Sequence, residues 1–329
     1  MENSKRYLSI SLKLVVSVSL LIYVLAKVDI TLIWSSIREA SLLWLAFALS
    51  LHFVGLFLSA CRWRLLLNAQ GIDASLRALS SSYMVGFFFN TFLPTTVGGD
   101  ITRAYDVSRR GHLMGGKSPT RNRVPREART EKSIAVILVE RSGGVASLLF
   151  LAIVASLFGG RIFARSPSFW LTFCLFLFLL SFAIAVLNPS VSGWFMRIFR
   201  IRGISKLEGK VAALLEAISV YKSKRKPFFM ALAFSLGLQI NTVIHCYLIA
   251  RGLGIDVPVV YFFTIVPLVI LILLLPISIN GIGVRENAYG FFLGQLGVGM
   301  TVSIALAWIS FALVLIFAVA GGIIYILRK

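Results

Sequence analysis

The chain has 329 residues, of which 58% are hydrophobic and only 14% charged, with a net charge of +20. A soluble domain usually carries about a quarter charged residues. Here the apolar residues fall in runs near the roughly 20 that a bilayer-crossing helix needs, which excludes an ordinary soluble globular protein. The positive charge is gathered into loops. Residues 103–132 and 197–226 hold nine Lys and Arg each, and Lys5, Arg6, Arg328 and Lys329 flank the ends. Such clustering is a positive-inside signal rather than a nucleic-acid groove.

In chain order, the first apolar run is Leu8 to Ala26, with Lys5 and Arg6 before it and no A-x-A site after it. It reads as an uncleaved first span. Residues 29–40 mix Ile30, Ile33, Trp34 and Ile37 with charges and suit a short interfacial helix. Further spans are expected at 41–60, 78–93, 134–158, 168–187, 228–250, 258–275 and 301–327, with a short apolar piece at 287–298.

The stretch Gly111–Arg129 lacks any hydrophobic period and reads as flexible, within a cytoplasmic basic loop over 109–132. Arg121 to Lys132 could also touch anionic headgroups. A cytoplasmic segment over 197–226 contains Ile204, Leu207, Val211, Leu214, Leu215 and Ile218 at helical spacing, which predicts an amphipathic helix. Cys61, Cys174 and Cys246 are far apart and without C-x-x-C spacing, so neither a disulfide framework nor a metal site is implied. No cofactor is expected.

With the N-terminus inside, a full crossing by 78–93 would put nine basic residues outside. That run has only sixteen residues and is interrupted by Pro94 and by Gly98-Gly99. A re-entrant hairpin over the first break, 78–110, removes the conflict. Non-helical backbone at membrane depth is tolerated only inside protein or a water-filled cavity.

The strongest signal is an internal similarity. Pro94-Thr95-Thr96-Val97-Gly98-Gly99 followed by Arg103 aligns without gaps on Pro276-Ile277-Ser278-Ile279-Asn280-Gly281 followed by Arg285. Proline ends the incoming helix and glycine permits the turn. The hydroxyl of Thr96 or Ser278 can satisfy freed backbone groups, and a following half-helix presents its positive end to an anion. Paired interruptions in two halves are a pointer to a transport site; packing kinks are the other reading. The second break spans 258–298.

Charges accompany the breaks: Asp100 and Arg103 at the first, Arg285 and Glu286 at the second, and Glu140-Arg141 in the fourth span. Ionisable residues at this depth default to a functional role with a partner. Glu140 and Glu286 could pair with Arg103 or Arg285, and Arg141 could reach a lipid phosphate. Glu140 reads equally as a structural salt bridge, and Asp100 as a cap of a helix starting at Ile101. His52 and His245 each stand alone on an apolar span and suit packing or a hydrogen bond. Asn90, Gln239 and Asn241 suit interhelical hydrogen bonds.

F-L-P-T-T-V-G-G-D at 92–100, V-E-R-S-G-G at 139–144 and P-I-S-I-N-G-I-G-V-R-E-N at 276–287 together resemble the lysylphosphatidylglycerol synthase transmembrane family, also called flippase-like or UPF0104. The resemblance covers essentially the whole chain. It implies a membrane region that, in larger two-part members, flips an aminoacylated phospholipid, while a separate soluble domain attaches the amino acid. No segment here resembles that soluble domain, so lipid handling without aminoacyl transfer is implied. Stand-alone relatives include some associated with polyprenyl-linked sugars. Site residues carried over are Pro94, Gly98, Gly99, Asp100, Arg103, Glu140, Arg141, Pro276, Asn280, Gly281, Gly283, Arg285 and Glu286. Asn280 stands where many relatives have Gly, and Asn tolerates the same left-handed geometry.

The expected fold is all-α: one polytopic transmembrane bundle over residues 1–329, with about seven full spans and two broken helices related by a weak inverted repeat. The expected location is the inner (plasma) membrane with both termini cytoplasmic. The expected function is flipping of an anionic or glycosylated lipid, a membrane phospholipid or polyprenyl-linked lipid. Arg103, Arg141 and Arg285 would face the phosphate, with Glu140 and Glu286 balancing them. The alternative is a non-transporting accessory subunit of a lipid-modifying enzyme. A membrane transferase is disfavoured, because each in-membrane carboxylate sits beside an arginine and no metal or nucleotide motif is present.

Overall fold

A computed structural model describes residues 29–92, 98–110, 126–158, 223–275 and 277–328, plus isolated positions at 18–19, 22–23, 174, 177, 181 and 219–221. Most of the expected spans 8–26 and 168–187, most of the amphipathic segment 204–221, and Pro94, Thr96 and Pro276 lie outside the described residues. Every element among those described is helical: α1 (Ile30–Glu39), α2 (Leu42–Ala69), α3 (Leu76–Phe92), α4 (Gly98–Arg110), α5 (Arg126–Phe158), α6 (Arg225–Gly252), α7 (Val259–Leu274), α8 (Val284–Gly294) and α9 (Met300–Leu327).

Among the described residues, four stretches are long and apolar enough to cross a bilayer: Leu42–Ala69, Ala128–Ala155, Arg225–Gly252 and Met300–Leu327. At 28 residues each, they reach roughly 42 Å, against a hydrocarbon core of about 30 Å. Their outward faces carry Phe53, Phe57, Ile323 and Ile326 in the open. Water would penalise such a surface, whereas lipid tails match it. The protein is therefore a multi-pass membrane protein, as its composition predicts.

Helix boundaries follow local chemistry. Asp29 caps α1, accepting from the amide and hydroxyl of Thr31, and these bonds hold its carboxyl below the ordinary value. Pro227 lies in the first turn of α6, where its missing N–H leaves no intrahelical bond unmade. Three boundaries differ from expectation. α2 continues to Ala69 rather than ending near residue 60, because Arg62 finds partners inside the bundle. α5 begins at Arg126, so the end of the expected basic loop is already helical; Arg126, Glu127, Ala128 and Arg129 are strong helix formers. α8 begins at Val284, ahead of the expected apolar piece at 287–298.

Two faces can be told apart by what gathers there. On one, Lys132 and Lys224 donate to the carbonyls of Gln70 and Ala69 at the end of α2 (3.2 and 2.6 Å), and Arg328 pairs with Asp106 (2.8 Å) and donates to Ser81 Oγ (3.0 Å). Ammonium groups at a helix C-terminus offset its negative end. On the other, the amide of Ser41 donates to the carbonyl of Gly252 (2.8 Å), and Ile33 of α1 packs against Ile304 and Ala305 at the start of α9.

α3 and α4 run antiparallel. Ser82 donates to Asp106 (2.6 Å) near the outer ends, and Gly99 donates to the side chain of Asn90 (2.8 Å) near the tip. The start of α3 and the end of α4 thus lie on the same basic face. α7 follows α6 and α8 precedes α9, so the second helix–break–helix starts and ends by the face where Ser41 meets Gly252. Maleimide labelling of single-cysteine variants in a background without Cys61, Cys174 and Cys246 checks this layout. Arg77→Cys and Ser223→Cys should react from one side of sealed vesicles and Asp256→Cys from the other.

Candidate functional site

α2, α3, α4 and α5 each contribute to a buried ionic cluster. Glu140 of α5 accepts from Arg62 of α2 (2.6 Å) and from Arg103 of α4 (2.5 Å). The Tyr83 hydroxyl of α3 also donates to Glu140, and it accepts from Arg103 at 2.8 Å. The side chains of Glu140, Arg103 and Arg62 are only 3%, 7% and 11% exposed. The Arg103 guanidinium lies 3.9 Å from the Tyr83 ring centroid and 4.3 Å from that of Trp63, within cation–π range. Arg62 reaches on to Ser235 Oγ of α6 (2.9 Å).

Glu140 and Arg141 are sequence neighbours, and a helix turns neighbouring side chains about 100° apart. Glu140 therefore points into the core, while Arg141 is 44% exposed and bonds Asp100. Asp100 also pairs with Arg103 at 3.3 Å. It does not cap a helix starting at Ile101: α4 starts three residues earlier, at Gly98, which puts Asp100 in the first turn, where a carboxylate complements the helix dipole.

Gly99 carries a steric constraint. A Cβ there would lie 2.4 Å from the carbonyl oxygen of Gly86, so only glycine allows α3 and α4 to approach this closely. Beyond Leu275, Asn280, Gly281 and Gly283 hold φ of 52°, 75° and 79°, left-handed values that Gly and Asn accept most readily. The two breaks touch: the Asn280 amide donates to the carbonyl of Thr91 in the last turn of α3. Arg285 donates back to the carbonyl of Asn280 (3.0 Å) and lies 5.1 Å from the Phe311 ring centroid.

Two expected roles at the second break are not seen. Among the described residues Ser278 makes no hydrogen bond to freed backbone. Glu286 pairs with neither Arg103 nor Arg285; it is buried, and its Oε2 has no hydrogen-bond partner. The tight left-handed turn is closed by backbone and by Asn280 instead.

A cavity of about 400 Å³ opens between α2, α6, α7, α8 and α9. Its polar lining is His52, Ser59, Asn241, Thr242, His245, Cys246, Arg285, Tyr289 and Ser310, set among apolar side chains such as Leu56, Val269 and Leu273. Residues 52–59, 238–245 and 310–314 occupy the middle of their 28-residue helices, so the cavity lies near mid-depth. His52 and His245 are stacked edge-to-face with ring centroids 4.5 Å apart. His245 Nδ1 lies 3.0 Å from the Ala48 carbonyl, which can only accept, so this nitrogen carries the hydrogen. Asn241 donates to Leu51 O and Gln239 to Gly144 O, both at 3.1 Å, the interhelical bonds their positions suggested.

Three contributors escaped sequence reasoning. Arg62, Tyr83 and Ser235 are not among the residues that the sequence singles out. A helical projection extending α2 beyond residue 60 would have placed Arg62 on the same face as Leu66, one turn on, which is fully buried.

Removing one member of a buried ion pair typically costs 3–5 kcal/mol, because the other charge stays unpaired. Glu140→Gln leaves Arg62 and Arg103 without their shared carboxylate. It should lower stability by about 3–5 kcal/mol, read as a large drop in thermal midpoint in detergent. Arg141→Gln removes the part-exposed partner and leaves the buried Asp100 still paired with Arg103, so it should cost less, about 1 kcal/mol.

Comparison with known proteins places this geometry in a family. Residues 10–322 match the family model described as the lysylphosphatidylglycerol synthase TM region. A UPF0104 membrane protein of Methanothermobacter thermautotrophicus is 22% identical over 289 residues, covering 82% of this chain and 80% of that protein. No solved structure is significantly similar. With nearly its whole length matched, the chain belongs to the lysylphosphatidylglycerol synthase transmembrane-region family.

Proposed function

We propose that the protein moves an anionic or glycosylated lipid between the leaflets of the membrane, with no covalent chemistry of its own. One observation carries this reading: two interrupted helices touch beside a polar cavity at mid-depth, through Asn280 and Thr91. Transport sites are built at such places, where broken helices supply backbone ligands and polar side chains near the bilayer centre. A headgroup would pass through the polar cavity while its tails remain in lipid. The layout of α3–α4 and α7–α8 supports reading them as re-entrant segments of an inverted repeat, entering from opposite faces and meeting at their tips. The crowding of Lys and Arg at the end of α2 and the start of α6 supports placing that face in the cytoplasm.

The reading is tested by leaflet exchange of fluorescent lipids in proteoliposomes. Phosphatidylglycerol, its lysyl derivative and a polyprenyl-phosphate sugar are compared in parallel. One lipid should exchange faster with protein than without, and Gly281→Leu, which forces a side chain onto Leu273 at the tip, should abolish the gain. If folded wild-type protein accelerates none of them, the accessory-subunit reading takes its place.

A further inference from the structure

We propose that the two hairpins have divided their roles: Arg103 is a locked structural cation, while Arg285 is the group that binds an anionic phosphate in the mid-depth cavity. This deepens the transport reading and rests on it for its biological setting, but its chemistry stands on separate observations.

The repeat supplies the first of these. Arg103 and Arg285 are equivalent positions, 182 residues apart. Arg103 is neutralised by Asp100 and Glu140 and bonded by Tyr83. Applying the same offset, the second hairpin has Ile282 in place of Asp100 and Ile265 in place of Tyr83. The arginine recurs and its polar partners do not.

The structure agrees with that difference. Among the described residues Arg285 meets no carboxylate. Of the five N–H donors of a guanidinium, one is bonded, to the carbonyl of Asn280, and the Phe311 ring covers part of the cation. The remaining donors belong to a side chain that lines the 400 Å³ cavity. An uncompensated cation at membrane depth is costly unless something neutralises it. Its planar fork matches a tetrahedral phosphate with two parallel bonds. Tyr289, Asn241 and the stacked His52 and His245 surround the same space and can complete an oxyanion's coordination. The first turn of α8, in which Arg285 sits, adds the positive end of an 11-residue helix.

The shared chemistry is a phosphate group, carried either by a lipid or by free inorganic phosphate. Native mass spectrometry of the full chain in detergent separates them. Phosphatidylglycerol and diacylglycerol, which share tails and differ in phosphate, are offered in equal amounts, with and without millimolar inorganic phosphate. Wild type should retain phosphatidylglycerol preferentially. Arg285→Gln should reduce that preference on the order of ten- to a hundredfold, the range for a lost hydrogen bond to a charged group. Ser59→Leu, which fills the cavity from α2, should reduce it as well, and Arg285→Lys only partly. These last two keep the test alive should Arg285→Gln fail to fold. Inorganic phosphate bound in an Arg285-dependent way without any lipid preference would uphold the anion site and assign it to the free ion. An unchanged lipid preference in folded Arg285→Gln and Ser59→Leu overturns the proposal. Because binding is read apart from transport, an Arg285-dependent site in a protein that accelerates no leaflet exchange would sink only the transport reading. Transport that survives Arg285→Gln would sink only the assignment of Arg285.

Discussion

The bundle depends on one buried carboxylate. Glu140 holds Arg62 and Arg103 within 2.6 Å, and through them it ties α5 to α2 and α4, with Tyr83 of α3 joining at the oxygen that Arg62 uses. In lipid no water can solvate a charge left behind, so the ions must satisfy one another. Desolvating three charged side chains is expensive, and such a cluster adds little net stability over an apolar core of the same shape. Its effect is on register. The helices can slide or rotate only by exposing an unpaired charge, which makes the correct packing of four elements an all-or-none matter.

That rigidity lies beside a place that is much less constrained. At the first tip, α3 and α4 touch through glycine backbone, and the arginine that follows is held from three sides. At the second, the turn is made by three left-handed residues, and among the described residues its arginine meets a backbone carbonyl and an aromatic face. The tips are joined by the bond from Asn280 to Thr91. One hairpin is therefore anchored by ion pairs, and the other by the apolar core, in which Phe262, Ile265, Phe292 and Leu293 are buried, next to the cavity.

Much of this was legible from the residues. The period and length of the apolar runs gave helices and class, and the interfacial pattern of 29–40 gave α1. The gap-free repeat of proline, hydroxyl, glycine and arginine gave the two breaks. Pairing was less legible, because it depends on which face of a helix meets which neighbour. Glu140 was singled out with Arg103 among its options, and the two do meet. Glu286 was given the same options and meets neither arginine, although it neighbours Arg285 in sequence. A charge just past the expected span 41–60, such as Arg62, looks like a boundary. It is a boundary only if water is there to receive it, and at Arg62 the receiving group is Glu140, 78 residues away. His52 and His245 looked solitary for the same reason: 193 residues separate two rings that stack.

The position of Asn280 shows how local backbone chemistry and long-range geometry join. At the matching place the first break has Gly98, which can make a turn but offers no side chain. Asn280 accepts the left-handed φ nearly as well and brings an amide with it. That amide is what reaches Thr91 across the bundle, while its own carbonyl receives Arg285. A glycine here would keep the turn and lose the link between the hairpins. The departure from the glycine found in many relatives is thus no weakening of the break. It converts a turn residue into the joint between the two halves, whose carbonyl supports the arginine and whose side chain holds the end of the partner helix.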